Sequence, residues 1–287
     1  MAMNRRCRIA GLFAGFALLG GVPPPTAGGG QGERVPHAAG IVFESQDLEL
    51  RENGIIRGPK SRKPLALVFT GHEFAEGGGV ILDELARHGA KGSFFVTGDF
   101  AANAAFAPLL RRIVQEGHYL GPHSDKHLLY CAWDARRKTS VTREEFRSDV
   151  QKNLQKLERL GVKRSQVRYF LPAYEHYNEE IAAWTKELGL TLINLTPGTR
   201  SSADYTGEAD KNFVSSKTIF DSIVAKERED SNGLNGFLLL FHVGAGPGRK
   251  DKFSARFGEL LDYLGGKGYQ FVRVDELLDA KGTKGVK

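Results

Sequence analysis

The chain has 287 residues, of which 41% are hydrophobic and 26% charged, and this ordinary composition excludes a disordered or fibrous protein. The length suits a single α/β barrel with a large core. The net charge of +6 is dispersed, with no compact basic run interleaved with aromatic residues, so no nucleic-acid partner is expected. A mildly basic surface suits contact with an acidic polysaccharide or cell-wall polymer.

The first residues have the layout of an export signal. Three arginines precede an apolar run at 9–22 that is short for a bilayer span, and prolines and small residues follow at 23–28. We predict a signal peptide at residues 1–27, export to the periplasm or the medium, and no stable membrane span after its removal. An uncleaved apolar anchor is the alternative. Cys131 is then the one cysteine of the mature chain, so no internal disulfide is expected.

Two short segments are predicted before the main domain. Residues 28–40 are rich in glycine and polar residues, which is typical of a flexible linker. Residues 41–63 contain short alternating runs around Asn53-Gly54, which indicates a small N-terminal β-hairpin that covers one end of the main domain.

From residue 64 to 280 the sequence alternates buried strands and amphipathic helices. Strands are predicted at 65–69, 92–96, 119–120, 167–171, 190–195, 236–241 and 269–274, and helices at 80–88, 101–115, 143–160, 178–188, 217–228, 253–264 and from 275. Repeated β-then-α units indicate parallel strands joined by helical crossovers, with the active site at the carboxyl ends of the strands. Five residues follow strands there: His72, His123, Tyr174, Thr196 and His242.

The run His123-Ser124-Asp125-Lys126-His127 carries the strongest signal for chemistry. Two histidines four residues apart can reach one cation from a single turn, and imidazole is the commonest metal ligand among side chains. Each histidine alone is more often a surface or capping residue. The coincidence with His72 and His242 at other strand ends favours one shared site.

These motifs resemble the polysaccharide deacetylase family, carbohydrate esterase family 4, over about residues 65–278. The His-Ser-x-x-His run matches in full, and Leu239-Leu240-Phe241-His242 is similar to a second family motif. The runs at 81–85 and 93–98 are similar as well. The resemblance implies an α/β fold, a distorted (β/α) barrel of the NodB-homology type.

The resemblance also implies an activity and roles for individual residues. The family removes N- or O-linked acetyl groups from polysaccharides and cell-wall glycans with a divalent metal, for which zinc (Zn²⁺) is the expected ion. His123 and His127 are then metal ligands, His242 the catalytic acid, and Leu240 an apolar residue that lines the substrate site.

The first family motif is altered. The family has two adjacent aspartates, a base and a metal ligand, where this chain has Thr70 and Gly71. His72 and Glu73 follow at once, and we favour His72 as the third metal ligand and Glu73 as the general base. Three neutral imidazoles leave zinc its full double charge, which lowers the pKa of a bound water. The exchanged assignment, with Glu73 on the metal and His72 as base, stays open.

The third family motif is altered too. The family has an arginine, two prolines, an aromatic residue and a glycine, and this chain has Leu171-Pro172-Ala173-Tyr174-Glu175. The missing arginine normally pairs with the missing base aspartate, so their joint loss avoids a lone buried charge. The backbone amide of Tyr174 is expected to help bind the oxyanion. Glu175 and His176 are either polar groups at the rim of the site or loop surface.

Two further features stay open. Asp204 either orients His242, as carboxylates do with imidazoles, or begins a turn, and we favour the turn. Tyr130 and Trp133 are either a wall on which sugars stack or core aromatics.

The leading hypothesis is an exported, metal-dependent hydrolase that removes acetyl groups from an acetylated polysaccharide. A catalytically impaired carbohydrate-binding protein on the same fold is the alternative, because both usual aspartates are absent. A glycoside hydrolase is a third hypothesis and requires two facing carboxylates, for which Glu73 and Glu175 are the candidates.

Overall fold

A computed structural model describes residues 48–279. The predicted signal peptide, the linker and the first part of the predicted hairpin, residues 41–47, lie outside the described residues. Within residues 48–279, no helix is both long and apolar enough to cross a bilayer.

The elements follow the predicted alternation. The strands are β1 Glu49–Arg51, β2 Gly54–Arg57, β3 Pro64–Gly71, β4 Ser93–Val96, β5 Tyr119–Pro122, β6 Tyr169–Phe170, β7 Thr191–Leu192, β8 Leu238–His242 and β9 Gln270–Val272. The helices are α1 Gly78–Arg87, α2 Gly98–Ala102, α3 Ala107–Gln115, α4 Arg143–Arg159, α5 Glu179–Glu187, α6 Ser216–Glu229, α7 Phe257–Gly266 and α8 Val274–Asp279.

Strands β3 to β9 are parallel and form a distorted barrel, and β3 lies in the middle of its main sheet. The main sheet has the order β5-β4-β3-β8, β9 pairs with the start of β3, and β6 and β7 form a separate parallel pair. A bond from Leu171 N–H to the Pro122 carbonyl (3.3 Å) links β5 to the β6 segment, and Thr196 N–H to the Leu238 carbonyl (3.0 Å) links the β7 segment to β8. These links confirm the predicted α/β barrel and bring the carboxyl ends of β3, β5 and β8 to one face.

The N-terminal hairpin is confirmed, but its turn lies one residue earlier than predicted. Glu52 and Asn53 form the turn with positive φ angles of 46° and 60°, as in a primed two-residue hairpin turn. Gly54 instead opens β2, where a Cβ atom would lie 2.6 Å from Leu192 Cδ2. The glycine is therefore needed for close packing on β7 rather than for the turn.

The predicted helix at 101–115 is wrong as a single element. The chain leaves α2 at Asn103, whose side chain accepts a bond from Ala105 N–H, and restarts as α3 with Pro108 in its first turn. Proline is favoured at that position because its missing N–H has no intrahelical partner there. The predicted start of α4 is confirmed, since Thr142 and Glu145 form a reciprocal capping box.

Arg57 anchors the hairpin to the barrel. Its guanidinium donates to the carbonyls of Gly233 and Asn235 and to the Asp230 carboxylate at 3.0 Å, and it lies over the Phe237 ring. The pKa of the Asp230 carboxyl is low. Burial opposes its charged form, but hydrogen bonds from Asn232 N–H and from the Lys226 and Arg57 side chains outweigh the effect of burial and lower this pKa to about 2.

The depressed pKa of Asp230 predicts a pH-dependent contribution to stability. The carboxylate stabilises the folded state above its ordinary pKa of 3.8, and this contribution disappears as the pH falls from about 4 to about 2. We expect Asp230→Asn to lower the free energy of unfolding by about 2 kcal/mol near pH 6 and by much less near pH 2.5, measured by urea denaturation. An equal difference at both pH values would contradict this assignment.

Candidate active site

A cleft of about 580 Å³ opens at the carboxyl ends of β3, β5 and β8. Its walls combine histidines, carboxylates and aromatic rings. The lining residues are Thr70, Gly71, His72, Glu73, Phe74, His123, His127, Trp133, Tyr174, Glu175, Tyr205, His242, Gly244 and Ala245. All four histidines singled out in the sequence therefore meet in one place.

Helix α4 holds the histidine loop that follows β5. The buried Asp149 carboxylate accepts bonds from Asp125 N–H (2.9 Å), Lys126 N–H (3.1 Å) and the Tyr130 hydroxyl (2.7 Å). One turn further along α4, Asn153 Oδ1 accepts from His123 N–H at 2.8 Å. These bonds tie down the backbone of a loop that would otherwise be free to move.

The two histidines of this loop are neutral and have the properties of metal ligands. His123 Nδ1 lies 2.9 Å from the Leu171 carbonyl, which can only accept, so Nδ1 carries the proton and Nε2 keeps its lone pair. Burial first, and then neighbouring His127, holds the pKa of His123 well below its ordinary value. Burial, followed by the charges of His72 and His242, lowers the pKa of His127 to about 3.

The rings of the three predicted metal ligands are neighbours in the cleft. The His123 and His127 rings have centroids 5.3 Å apart and planes inclined by 55°. The His72 ring instead stacks face to face on His127, at 4.3 Å and 12°. Imidazole nitrogen donates in the ring plane, so two stacked rings do not point at one ion. Among the described residues no three His, Cys, Asp or Glu side chains stand together as a formed cation site.

His72 and Glu73 lie at the outer side of the cleft. His72 Nδ1 contacts Thr97 Oγ1 at 3.2 Å, and its Nε2 is 3.8 Å from Glu73 Oε1. The Glu73 side chain is 66% exposed. A turn of the His72 ring about its Cβ–Cγ bond would be needed for it to join His127 on one cation.

Asp204 orients His242. His242 Nδ1 donates to Asp204 Oδ1 at 2.6 Å, and the His242 backbone N–H donates to Oδ2 at 2.9 Å. Asp204 lies in a turn directly after the short 3₁₀ helix Ser201–Ala203, but its carboxylate binds His242 twice, so our preference for a turn over the orienting role is wrong. Burial lowers the pKa of His242, but the charge and hydrogen bond of Asp204 outweigh burial and raise it.

Glu175 is the better buried of the two cleft carboxylates. Its side chain is 16% exposed, and Oε1 lies 4.0 Å from His123 Nε2. Burial raises the pKa of this carboxyl to about 7, with a further increase from Asp204 and an opposing effect of His242. Of the two alternatives for Glu175, a polar group of the site or loop surface, the structure supports the first.

Exposed aromatic rings surround the cleft mouth. Trp133 is 62% exposed and lies near Tyr174, with ring centroids 5.7 Å apart, while Phe74 and Tyr205 complete the rim. Tyr130 is fully buried on Asp149, so of the predicted pair Trp133 alone faces the cleft.

Two predicted site residues do not line the cleft. Leu240 is completely buried in the core with Val68 and Phe95, because β8 turns this side chain to the barrel interior. Leu240 therefore does not reach the cleft surface, where it was predicted to contact substrate. Thr196 is buried as well, where its hydroxyl bridges Leu238 N–H and the Ile56 carbonyl.

Removal of the Asp149 charge tests how the histidine loop is held. An asparagine has one acceptor oxygen for three donors, so we expect Asp149→Asn to lower the free energy of unfolding by about 3 kcal/mol, measured by urea denaturation. The exposed Asp134→Asn is the matched control and should change stability by less than about 0.5 kcal/mol. Equal stability of the two variants would contradict the role of Asp149.

Comparison with known proteins agrees with this geometry. Residues 58–193 match the family model described as polysaccharide deacetylase. The peptidoglycan-N-acetylglucosamine deacetylase of Bacillus cereus is 25% identical over 220 residues, which are 77% of this chain and 70% of that protein. The corresponding enzyme PgdA of Listeria monocytogenes is 25% identical over 223 residues, which cover 77% of this chain but 40% of PgdA.

A solved structure supports the same fold. BA3943 of Bacillus anthracis, described as a pseudoenzyme of carbohydrate esterase family 4, superposes with a TM-score of 0.61 at 19% identity, covering 79% of this chain and 69% of that one. The family model spans β3 to β7 with the histidine loop, and it ends before β8 and His242. The chain is therefore similar to the polysaccharide deacetylase family, whose model matches residues 58–193.

Proposed function

We propose that this protein is a metal-dependent deacetylase that hydrolyses acetyl groups of a cell-wall glycan outside the cytoplasm. The observation that carries the proposal is the pairing, in one cleft, of two neutral histidines held by α4 with an imidazole held by Asp204. Relatives that act on N-acetylglucosamine of peptidoglycan support that sugar as the acetylated unit. The predicted signal peptide supports export.

His123 and His127 would hold the cation, with zinc as the expected ion. Both rings are neutral, and the bond from His123 Nδ1 to the Leu171 carbonyl leaves Nε2 free to donate its electron pair. His72 is the proposed third ligand after rotation of its ring, and Glu73 is the open alternative. When bound, the cation supplies positive charge that lowers the pKa of water and polarises the acetyl carbonyl.

The residues of the chain supply the remaining chemistry. A carboxylate of the cleft accepts a proton from the attacking water, and the Tyr174 backbone amide donates to the developing oxyanion. His242, protonated at Nε2 and fixed by Asp204, gives a proton to the departing sugar amine or hydroxyl. The raised pKa of His242 supports this acid role.

The aromatic rim supports a sugar polymer as the ligand. Trp133 and Tyr174 present exposed ring surface beside the histidines, and Tyr205 lies against His242 with ring centroids 5.0 Å apart. Apolar ring faces with a polar cleft between them suit pyranose rings, whose C–H faces pack on aromatics while their hydroxyls form hydrogen bonds.

A carbohydrate-binding protein without turnover is the second candidate. Two observations favour it: Thr70 and Gly71 stand where the family has aspartates, and the stacked His72 ring leaves the cation site incomplete. The two candidates differ in acetate release, since both would bind the glycan.

Acetate release from N-acetylated peptidoglycan fragments tests the proposal. We expect one equivalent of zinc per chain, turnover that a chelator abolishes and zinc restores, and loss of both metal and turnover in His123→Ala. His88→Gln, at the end of α1 and away from the cleft, is the matched control. Glycan binding without acetate release by the metal-loaded protein would establish the second candidate, and turnover in His123→Ala would refute the site.

Asp204→Asn tests the acid. The asparagine oxygen still accepts the His242 backbone N–H, but its amino group faces Nδ1 and forces the neutral tautomer that is a poor acid. We expect kcat to fall by about 10²-fold or more with unchanged metal content. Asp221→Asn on α6 serves as control, and a normal kcat in Asp204→Asn would rule out the acid role of His242.

A further inference from the structure

Glu175 occupies a backbone conformation that disfavours a glutamate. Its φ angle is +51°, and Tyr174 before it has φ +59°. This left-handed region favours glycine, the residue that the family has at this place in its third motif. A side chain kept at a strained position indicates a function for the side chain itself.

The surroundings of Glu175 fix its direction. Its N–H donates to the Pro172 carbonyl at 3.0 Å, and its own carbonyl accepts from Asn194 Nδ2 at 2.7 Å. With the backbone held at both groups, the carboxylate points into the cleft, where Oε1 lies 4.0 Å from His123 Nε2. Within residues 48–279 no lysine or arginine forms an ion pair with it, so it is not part of a structural salt bridge.

The end of β3, where the family has its base and a metal ligand, carries no carboxylate in this chain, since Thr70 stands at the base position and Gly71 at the ligand position. A Cβ atom on Gly71 would lie 3.0 Å from Cε2 of the Phe100 ring, so a larger side chain there would require that ring to shift. Thr70 cannot accept a proton from water at neutral pH. Glu73 carries the nearest carboxylate along the chain, but its side chain is 66% exposed and faces solvent beside His72.

We propose that Glu175 is the general base, so that the proton acceptor of this deacetylase has moved from the end of β3 to the turn after β6. This inference rests on the proposed function and takes the base role from Glu73. Glu175 lies beside the ligand atom of His123, where the attacking water would be, whereas Glu73 is at the solvent side of the cleft.

The proposed hydrolysis has two stages, attack of water and departure of the sugar group. The Glu175 carboxylate takes one proton of the water while the water oxygen bonds to the acetyl carbon, and the carbonyl electron pair moves to oxygen. When the tetrahedral species collapses, the bond from carbon to the sugar nitrogen or oxygen breaks, and the leaving atom takes its electron pair and a proton from His242. Acetic acid and the free sugar group result. The proton on Glu175 then returns to His242 through solvent.

Paired variants test the assignment. Glu175→Gln keeps the shape of the side chain and removes the proton acceptor, Glu73→Gln tests the competing assignment of the base, and Glu158→Gln, exposed on α4 and outside the cleft, is the matched control. We expect Glu175→Gln to retain its zinc, measured by elemental analysis, and to lose about 10²–10⁴-fold in kcat, a larger loss than in Glu73→Gln, while Glu158→Gln keeps the kcat of the parent. Glu175→Gly restores the residue that suits the backbone, so it should keep the melting temperature of the parent or exceed it while losing turnover.

Four outcomes would overturn the inference. Turnover of Glu175→Gln close to that of the parent would remove the base role while leaving the proposed function intact. Loss of zinc in Glu175→Gln would make the residue a ligand instead. Absence of acetate release by the zinc-loaded parent would refute the proposed function and this inference with it. A melting temperature of Glu175→Gly well below that of the parent would show that the side chain is kept for stability.

Discussion

The site depends on one buried carboxylate, that of Asp149. It accepts three hydrogen bonds from the loop after β5, at 2.7 to 3.1 Å. That loop carries two non-glycine residues with positive φ, Ser124 at 76° and His127 at 54°, a conformation that costs free energy and needs such support. Because α4 also binds the backbone of His123 through Asn153, the two imidazoles are set by a helix rather than by the loop itself.

The altered motifs change which charged side chains line the cleft. Where the family resemblance implies two aspartates and an arginine, the cleft of this chain has a cluster of histidines and one buried glutamate. Burial keeps the imidazoles of His123 and His127 neutral, which is the state that binds a metal, and in the proposed function a cation there would have no aspartate from the end of β3. The carboxylate that the chemistry needs then has to come from another element, and Glu175 is the buried one that faces the cleft.

The sequence predicted what is local and missed what depends on packing. The alternation of strands and helices and the capping box of α4 are short-range patterns, and both were found as predicted, although several strands are shorter, such as β7 at Thr191–Leu192 for the predicted 190–195. The role of Asp149 was not predicted, because a polar residue inside a helix gives no sign that it is buried against a loop 24 residues earlier. The burial of Leu240 and the bond from Asp204 to His242 likewise depend on which way a side chain turns in the assembled barrel. The inward direction of Glu175 depends on a left-handed φ angle that no residue pattern indicates.

In the proposed function, a cation binds to histidines of the loop after β5 without the usual aspartates. Anomalous diffraction at the zinc edge from crystals of the zinc-loaded protein would locate this cation. We expect one strong peak within bonding distance of Nε2 of both His123 and His127, with Glu175 outside direct contact with the ion. No peak in the cleft, or a peak held by carboxylates away from these two histidines, would contradict this proposal.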